Sequence, residues 1–289
     1  MKTRSMISFD WAMKRLLRQK ANFEVLEGFL SELLRRKIII KNIGESEGNK
    51  KDKNDKSNRV DILVEADDNE LVVVELQYDS FADYYHRMLF GVSNVITDYM
   101  KAGDLYSNVR KVYSVNIVYY GLGGDDYIYH GFTNFKGLHT NNELQLTVAQ
   151  QKLYNKTIVG EIFPEYYIIS IKGFNDVAHN TLDEWIYYLK NNVIEDHFTA
   201  QGLNKAKEIL LFDKLSDAEK FEYRYAIDAK LVSDNKIFTA QLEGEIKGLE
   251  KAVINGTNAG YPIDVISTIT GLTIEEIYEI LKRHELFKE

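Results

Sequence analysis

The sequence predicts an α/β domain whose sheet is covered by helices, followed by an all-helical tail. Three observations carry this reading. Residues 60–65 and 71–77 are rich in β-branched residues and apolar on both faces, as strands buried between layers of helix are. Phe81, Tyr84, Tyr85, Met88, Leu89, Val92, Val95, Ile96 and Tyr99 then recur with a 3.6-residue period, the signature of a packed helix. Beyond about residue 180 helical periodicity takes over to the end of the chain.

From the N-terminus, Phe23, Leu26, Leu30, Leu33 and Leu34 stand at helical spacing with Asn22 available as an N-cap, so residues 22–36 are predicted helical. A shorter helix over about 9–19 precedes them, and three consecutive isoleucines at 38–40 suggest a short strand. Residues 44–59, GESEGNKKDKNDKSNR, hold nothing that packs and read as a solvated loop. The run ADDNE at 66–70 is turn chemistry, joining 60–65 and 71–77 into a hairpin. A helix over 81–101 follows, which Gly103 is placed to end. Further strands are expected at 111–120, 127–132, 144–148 and 166–171. Helices are expected at 181–191, 203–212, 217–232, 238–255, 262–270 and 273–283. The domain boundary is expected near 195–200, giving one domain over 1–195 and a helical region over 196–289.

Composition narrows the chemistry. The 289 residues include no cysteine, which excludes disulfides, thiolate nucleophiles and thiolate metal sites. The longest apolar runs fall far below the ~18 residues a membrane helix needs, and the basic N-terminus lacks an apolar signal core, so a cytoplasmic protein is expected. The formal charge of −8 argues against a generic nucleic-acid binder. It is unevenly spread, however: residues 1–60 hold 15 Lys/Arg and 8 Asp/Glu, net +7, leaving −15 for residues 61–289. Such asymmetry hints at an anionic partner on one side.

The chemically informative stretch is Arg59-Val60-Asp61 followed by Glu75-Leu76-Gln77. A charge inside a buried strand costs several kcal/mol unless it is paired or binds a cation. Glu75 and Gln77 share a strand face by alternation. Asp61 comes opposite Glu75 only if the hairpin is centred on Asp68, which requires a loop of odd length. Two carboxylates converging at a sheet face suit a hard cation such as Mg²⁺ or Mn²⁺. A satisfied ion pair, Asp61 with Arg59 or Lys41, explains the same residues.

In order and spacing these segments resemble the PD-(D/E)XK nuclease superfamily, and within it the recombination-promoting nucleases, also described as transposases. The matching elements are Asp10 with Lys14, the helix at 26–34, Arg59-Val60-Asp61, Glu75-Leu76-Gln77, Arg87, Gly103 with Tyr106, and Tyr129-His130. They span about residues 9–175 and the helical tail. The resemblance implies a restriction-endonuclease-like α/β/α core on a mixed sheet and Mg²⁺- or Mn²⁺-dependent hydrolysis of DNA phosphodiesters. By position it implies Asp61 and Glu75 as metal ligands, with the Leu76 carbonyl as a further one. Two departures stand out. Val60 replaces the superfamily's proline, and Gln77 replaces its usual lysine; a neutral amide orients water but supplies no positive charge. A catalytically inactive fold that binds DNA or a protein partner is the alternative.

A helical wheel puts Glu27 at the edge of the apolar face of the first long helix, making it the candidate further acid of that superfamily, with Glu45 and Glu47 behind it. Arg87, Asn94, Asp98 and Lys101 share one face of the later helix; Arg87, like Arg59, is a candidate DNA contact or a partner for Glu75. Residues 262–283 form two short helices about a Gly-containing turn. The second carries Glu275, Glu276 and Glu279, so docking on the domain or in a homodimer through the tail is expected rather than DNA reading.

Overall fold

The computed structural model describes residues 6–15, 20–44, 61–67 and 69–286. These divide into two compact units, Met1–Ser216 and Asp217–Glu289.

The first unit is a six-stranded mixed sheet in the order β1-β2-β3-β4-β6-β5. Its strands are β1 (Ile40–Gly44), β2 (Ile62–Ala66), β3 (Leu71–Gln77), β4 (Val112–Val118), β5 (Ile128–Gly131) and β6 (Glu165–Ser170). The strands β3, β4 and β6 run parallel, while β1, β2 and β5 add antiparallel. All seven residues of β4 are buried, as expected of a strand with neighbours on both edges and layers on both faces.

Helix α1 (Phe9–Arg15) and helix α2 (Phe23–Leu34) precede the sheet. A 3₁₀ turn, Lys20–Asn22, leads into α2, and Asn22 makes no side-chain cap there, contrary to the role expected of it. The first strand begins at Ile40 rather than Ile38, because the Ile38 amide is taken by the Ser31 hydroxyl at 2.9 Å. Phe9, Phe29, Trp185 and Tyr188 form an edge-to-face aromatic core with ring centroids 5.7–6.2 Å apart. Trp185 and Tyr188 come from α5 (Thr181–Asn191), so these helices close on one another. Helix α6 (Leu203–Ile209) buries Leu203 and Ala206 in the same unit. The sequence reading puts the boundary before this helix, and the compact unit runs past it.

Helix α3 (Tyr84–Asp98) joins β3 to β4. Its Val92 and Val95 pack on Leu63, Leu71, Val73 and Val112, so α3 covers the odd-numbered face of β3, the face that carries Glu75 and Gln77. On the opposite face Val72, Val74 and Leu76 are also buried. The expected strand at 144–148 is absent: Lys136↔Glu143 and Gln145↔Ile158 form only isolated bridges. Helix α4 (Val148–Tyr154) occupies this region instead, started by a Thr147–Gln150 capping box.

The second unit consists of α7 (Asp217–Asn258), α8 (Ile263–Thr270) and α9 (Ile274–Arg283). Two helices are expected over 217–255, and one continuous helix of 42 residues is found. At its C-terminal end Val253 packs with Ile266, Ile277, Ile280 and Leu281, so the short helices bury their apolar faces on α7. Gly271, at φ 73°, ends α8. Glu276 closes a capping box with Thr273, its carboxylate 2.8 Å from the Thr273 amide. One of the three glutamates noted in the tail is thereby explained by helix initiation.

Candidate active site

The β2–β3 hairpin sets the geometry. Ile62 pairs with Val74 and Glu65 with Leu71, a register centred on position 68 that places Asp61 across from Glu75 one step further on. The Ala66 amide donates to the Glu70 carbonyl at 3.0 Å, leaving the odd-length loop 67–69 that this register requires. Asn69 takes the left-handed conformation in it, φ 60°.

Asp61 is fixed by the backbone of the neighbouring strand: its carboxylate accepts the Leu76 amide at 2.8 Å. The Tyr119 amide donates to the Gln77 carbonyl at 2.9 Å, so the main chain of Gln77 faces β4. By alternation the amide and carbonyl of Leu76 face Asp61. The Asp61 carboxylate and the Leu76 carbonyl therefore lie on one edge of β3, beside the side chain of Glu75.

Glu75 is mostly buried. Burial pushes its carboxyl up to about 7, the charge of Asp61 pushes in the same direction, and the guanidinium of Arg87 opposes both. Behind it, across the parallel ladder, stands the fully buried Asn116. The Asn116 amide donates to the Ser114 carbonyl and hydroxyl and to the Tyr167 carbonyl, at 2.9–3.2 Å, and its oxygen accepts the Tyr84 hydroxyl at 3.3 Å. The Tyr84 phenol is pushed well above its ordinary range, by burial first and then by Glu75. Sequence reading treats Tyr84 as a core position of the periodic helix and misses it as a neighbour of the site. The available signal is its hydroxyl, which needs a partner when buried.

Gln77 is half-buried, and its side-chain amide donates to the Asp79 carbonyl at 3.0 Å. Arg87, on the exposed side of α3, lies over the ring of Phe81 with the guanidinium 5.1 Å from the centroid. Asp10 of α1 acts on the phenols of Tyr78 and Tyr119, which stack at 4.3 Å just past the ends of β3 and β4. This element of the motif thus reaches the C-terminal end of the strands. Glu27 is engaged elsewhere: its carboxylate accepts the Ile40 amide at 2.7 Å, tying α2 to the start of β1. Among the described residues no set of three or more acidic or imidazole side chains is placed to hold a metal. Arg59, Val60, Glu45 and Glu47 lie outside the described residues.

At the other end of β3 the polar residues are paired. Glu70 is buried between Arg36 and Lys156, the latter at 3.0 Å, and Lys111 reaches Glu165 at 2.8 Å. His130 also binds Glu165, at 2.8 Å, and stacks on Tyr167. A cavity of ≈ 380 Å³ opens here, lined by Glu70, Arg110, Lys111 and Lys156 among others, but these charges are committed to one another or to Glu65 and Glu165. Nothing in it resembles the paired carboxylates at the C-terminal end.

A family model described as PD-(D/E)XK nuclease family transposase matches residues 7–241. No curated protein and no solved structure matches the chain.

Proposed function

Because the chain belongs to the PD-(D/E)XK nuclease family transposases, we propose that it is a divalent-metal-dependent endonuclease hydrolysing DNA phosphodiesters at Asp61 and Glu75, in recombination or transposition of mobile DNA. The observation that carries the reading is the convergence of these two carboxylates at the end of the hairpin, with Glu75 pushed up to about 7. A carboxylate pushed up by burial and by a neighbouring acid is an unfavourable arrangement by itself, and a cation shared with that acid relieves it.

The donor set fits a hard cation: two carboxylates and the Leu76 carbonyl, all oxygen, would hold Mg²⁺ or Mn²⁺. When bound, such an ion lowers the pKa of water and neutralises charge developing on the phosphoryl group. The chain's own residues supply the rest. The Leu76 amide holds Asp61 in one orientation, so little ordering remains for the moment of binding. Gln77, on the face of Glu75, orients the attacking water through its amide. Arg87 and Arg59 contact phosphate. Glu27 serves indirectly, by positioning β1. DNA approaches the side presenting the basic residues 1–60, and binding weakens steeply as salt rises. A cytoplasmic location and a homodimer through the helical tail complete the proposal. No helix among the described residues is long and apolar enough to cross a membrane, and α7 exposes Phe221, Tyr225 and Phe238.

The test is Mg²⁺-dependent nicking of supercoiled plasmid by the wild-type chain and by Asp61→Ala. Cleavage that requires both Mg²⁺ and Asp61 is the expected result, and cleavage indifferent to Asp61→Ala removes the assigned site. A second reading, a catalytically silent fold that binds DNA or a protein, is favoured by Gln77 at the position of the usual lysine; absence of cleavage with Mg²⁺ and Mn²⁺ alike supports it.

A further inference from the structure

The flank of α3 beside the carboxylates is apolar, aromatic and exposed. Phe81, Tyr85 and Leu89 follow one another at four-residue spacing, 44%, 58% and 58% exposed. Phe81 stands just before the first turn of α3, and within the helix Tyr85 and Leu89 are about 6 Å apart along the axis. The strip begins at the site itself. Arg87 lies over Phe81 while its charge acts on Glu75. The Tyr120 hydroxyl, buried without a hydrogen-bond partner among the described residues, is within electrostatic reach of both Tyr85 and Arg87.

Charge selects the occupant. Between Asp83 at its start and Asp98 at its end, α3 carries no acidic residue, and Arg87 and His86 stand beside the strip. Arg87, over Phe81, is the cation an anionic partner meets at the end of the strip nearest the carboxylates. The cations are too few for the several phosphate contacts that hold a duplex by its backbone. The aromatic rings, in contrast, offer what duplex DNA hides, contact with base faces. A base stacked on an exposed aromatic gains about 1–3 kcal/mol whatever its identity.

Resting on the nuclease reading above, we propose that the Phe81–Tyr85–Leu89 strip binds unpaired nucleotides, so that DNA with a single-stranded segment beside the cleaved bond, such as negative supercoiling opens in a plasmid, is preferred to fully paired duplex. Arg87 bridges the two functions. It holds the phosphate nearest the carboxylates while the adjoining bases lie along α3.

Fluorescence anisotropy in EDTA tests this without calling on the metal site. The probes are a labelled 20-nucleotide single strand and the blunt duplex of the same sequence, with wild type, Tyr85→Ala and Tyr85→Phe. The single strand should bind at least about tenfold more tightly than the duplex. Tyr85→Ala should weaken the single strand by about tenfold, while Tyr85→Phe leaves it unweakened. Equal affinity for the two DNAs, or no effect of Tyr85→Ala, overturns the proposal. Light scattering of the same samples covers the competing occupant: if Tyr85→Ala dissociates an oligomer, a second copy covers the strip and the proposal is wrong. Because Asp61 is scored by plasmid cleavage and Tyr85 by binding, loss of one reading is distinguishable from loss of the other.

Discussion

Raising the pH from 6 to 8 should tighten the binding of a divalent cation by about tenfold, and Glu75 is the reason. Its carboxyl is pushed from 4.5 up to about 7 by burial and by Asp61. About one-tenth of the protein then carries ionised Glu75 at pH 6 and about nine-tenths at pH 8, and only the ionised form offers a charged ligand. The same shift acts on folding. A carboxyl whose folded-state pKa lies above its unfolded value contributes stability below pH 4.5, and that contribution is lost as pH rises through about 7. The shift corresponds to about 3 kcal/mol at most. Isothermal titration with Ca²⁺ and Mg²⁺ at pH 6, 7 and 8 reads the first effect. Urea denaturation of metal-free protein over pH 4.5–8 reads the second. Glu75→Gln should bind metal weakly at every pH, lose this part of the pH dependence of stability, and be more stable than wild type at pH 8. A wild-type affinity that changes less than about twofold between pH 6 and 8, or an unchanged stability slope in Glu75→Gln, would refute the reasoning.

Other substitutions probe the frame around the pair. Glu70→Ala removes the shared carboxylate from Arg36 and Lys156, both partly exposed, and should cost about 2 kcal/mol in urea denaturation, less than a fully buried pair would. Gly28→Ala, which in an open helix would gain stability, should instead cost about 3 kcal/mol, because its Cβ would meet the Gln201 carbonyl oxygen at 2.3 Å; calorimetry showing an unchanged Tm contradicts that packing. Asn116→Ala leaves the Tyr84 hydroxyl without its acceptor beside Glu75 and should destabilise by about 2 kcal/mol while lowering cleavage. Gln77→Lys restores the superfamily's cation and should raise Mg²⁺-dependent nicking by about tenfold; a slower variant would show that the amide is the better-suited group.

The carboxylate pair is legible in the sequence because two independent constraints meet there. Acids inside apolar strands demand an explanation, and the period-2 rule allows only one register to bring them together, the register found. The helices at 81–101 and 181–191 are legible for the same reason, since long periodic segments determine their own type, although α3 is shorter than predicted at both ends. What fails depends on contacts that no local pattern encodes. Glu27 sits half-buried at the edge of its helix as the wheel requires, yet the wheel cannot say that the Ile40 amide is what faces it. Residues 144–148 alternate like a strand, but the Thr147–Gln150 capping box was the stronger signal. The polar residues 233–236 suggest a break in α7. With no glycine or proline among them, a solvated helix tolerates the interruption.

The two ends of β3 have opposite roles. At its start Glu70 is matched by two cations, and five residues later, roughly 17 Å along the strand, Glu75 is set against another acid. On the proposed reading, a single substitution at Glu75 would abolish the chemistry and, near pH 8, leave a fold at least as robust. Silence would then be one substitution away and carry no penalty in foldability. Where Glu75 is retained, selection for what it does, rather than for the architecture, is what keeps it.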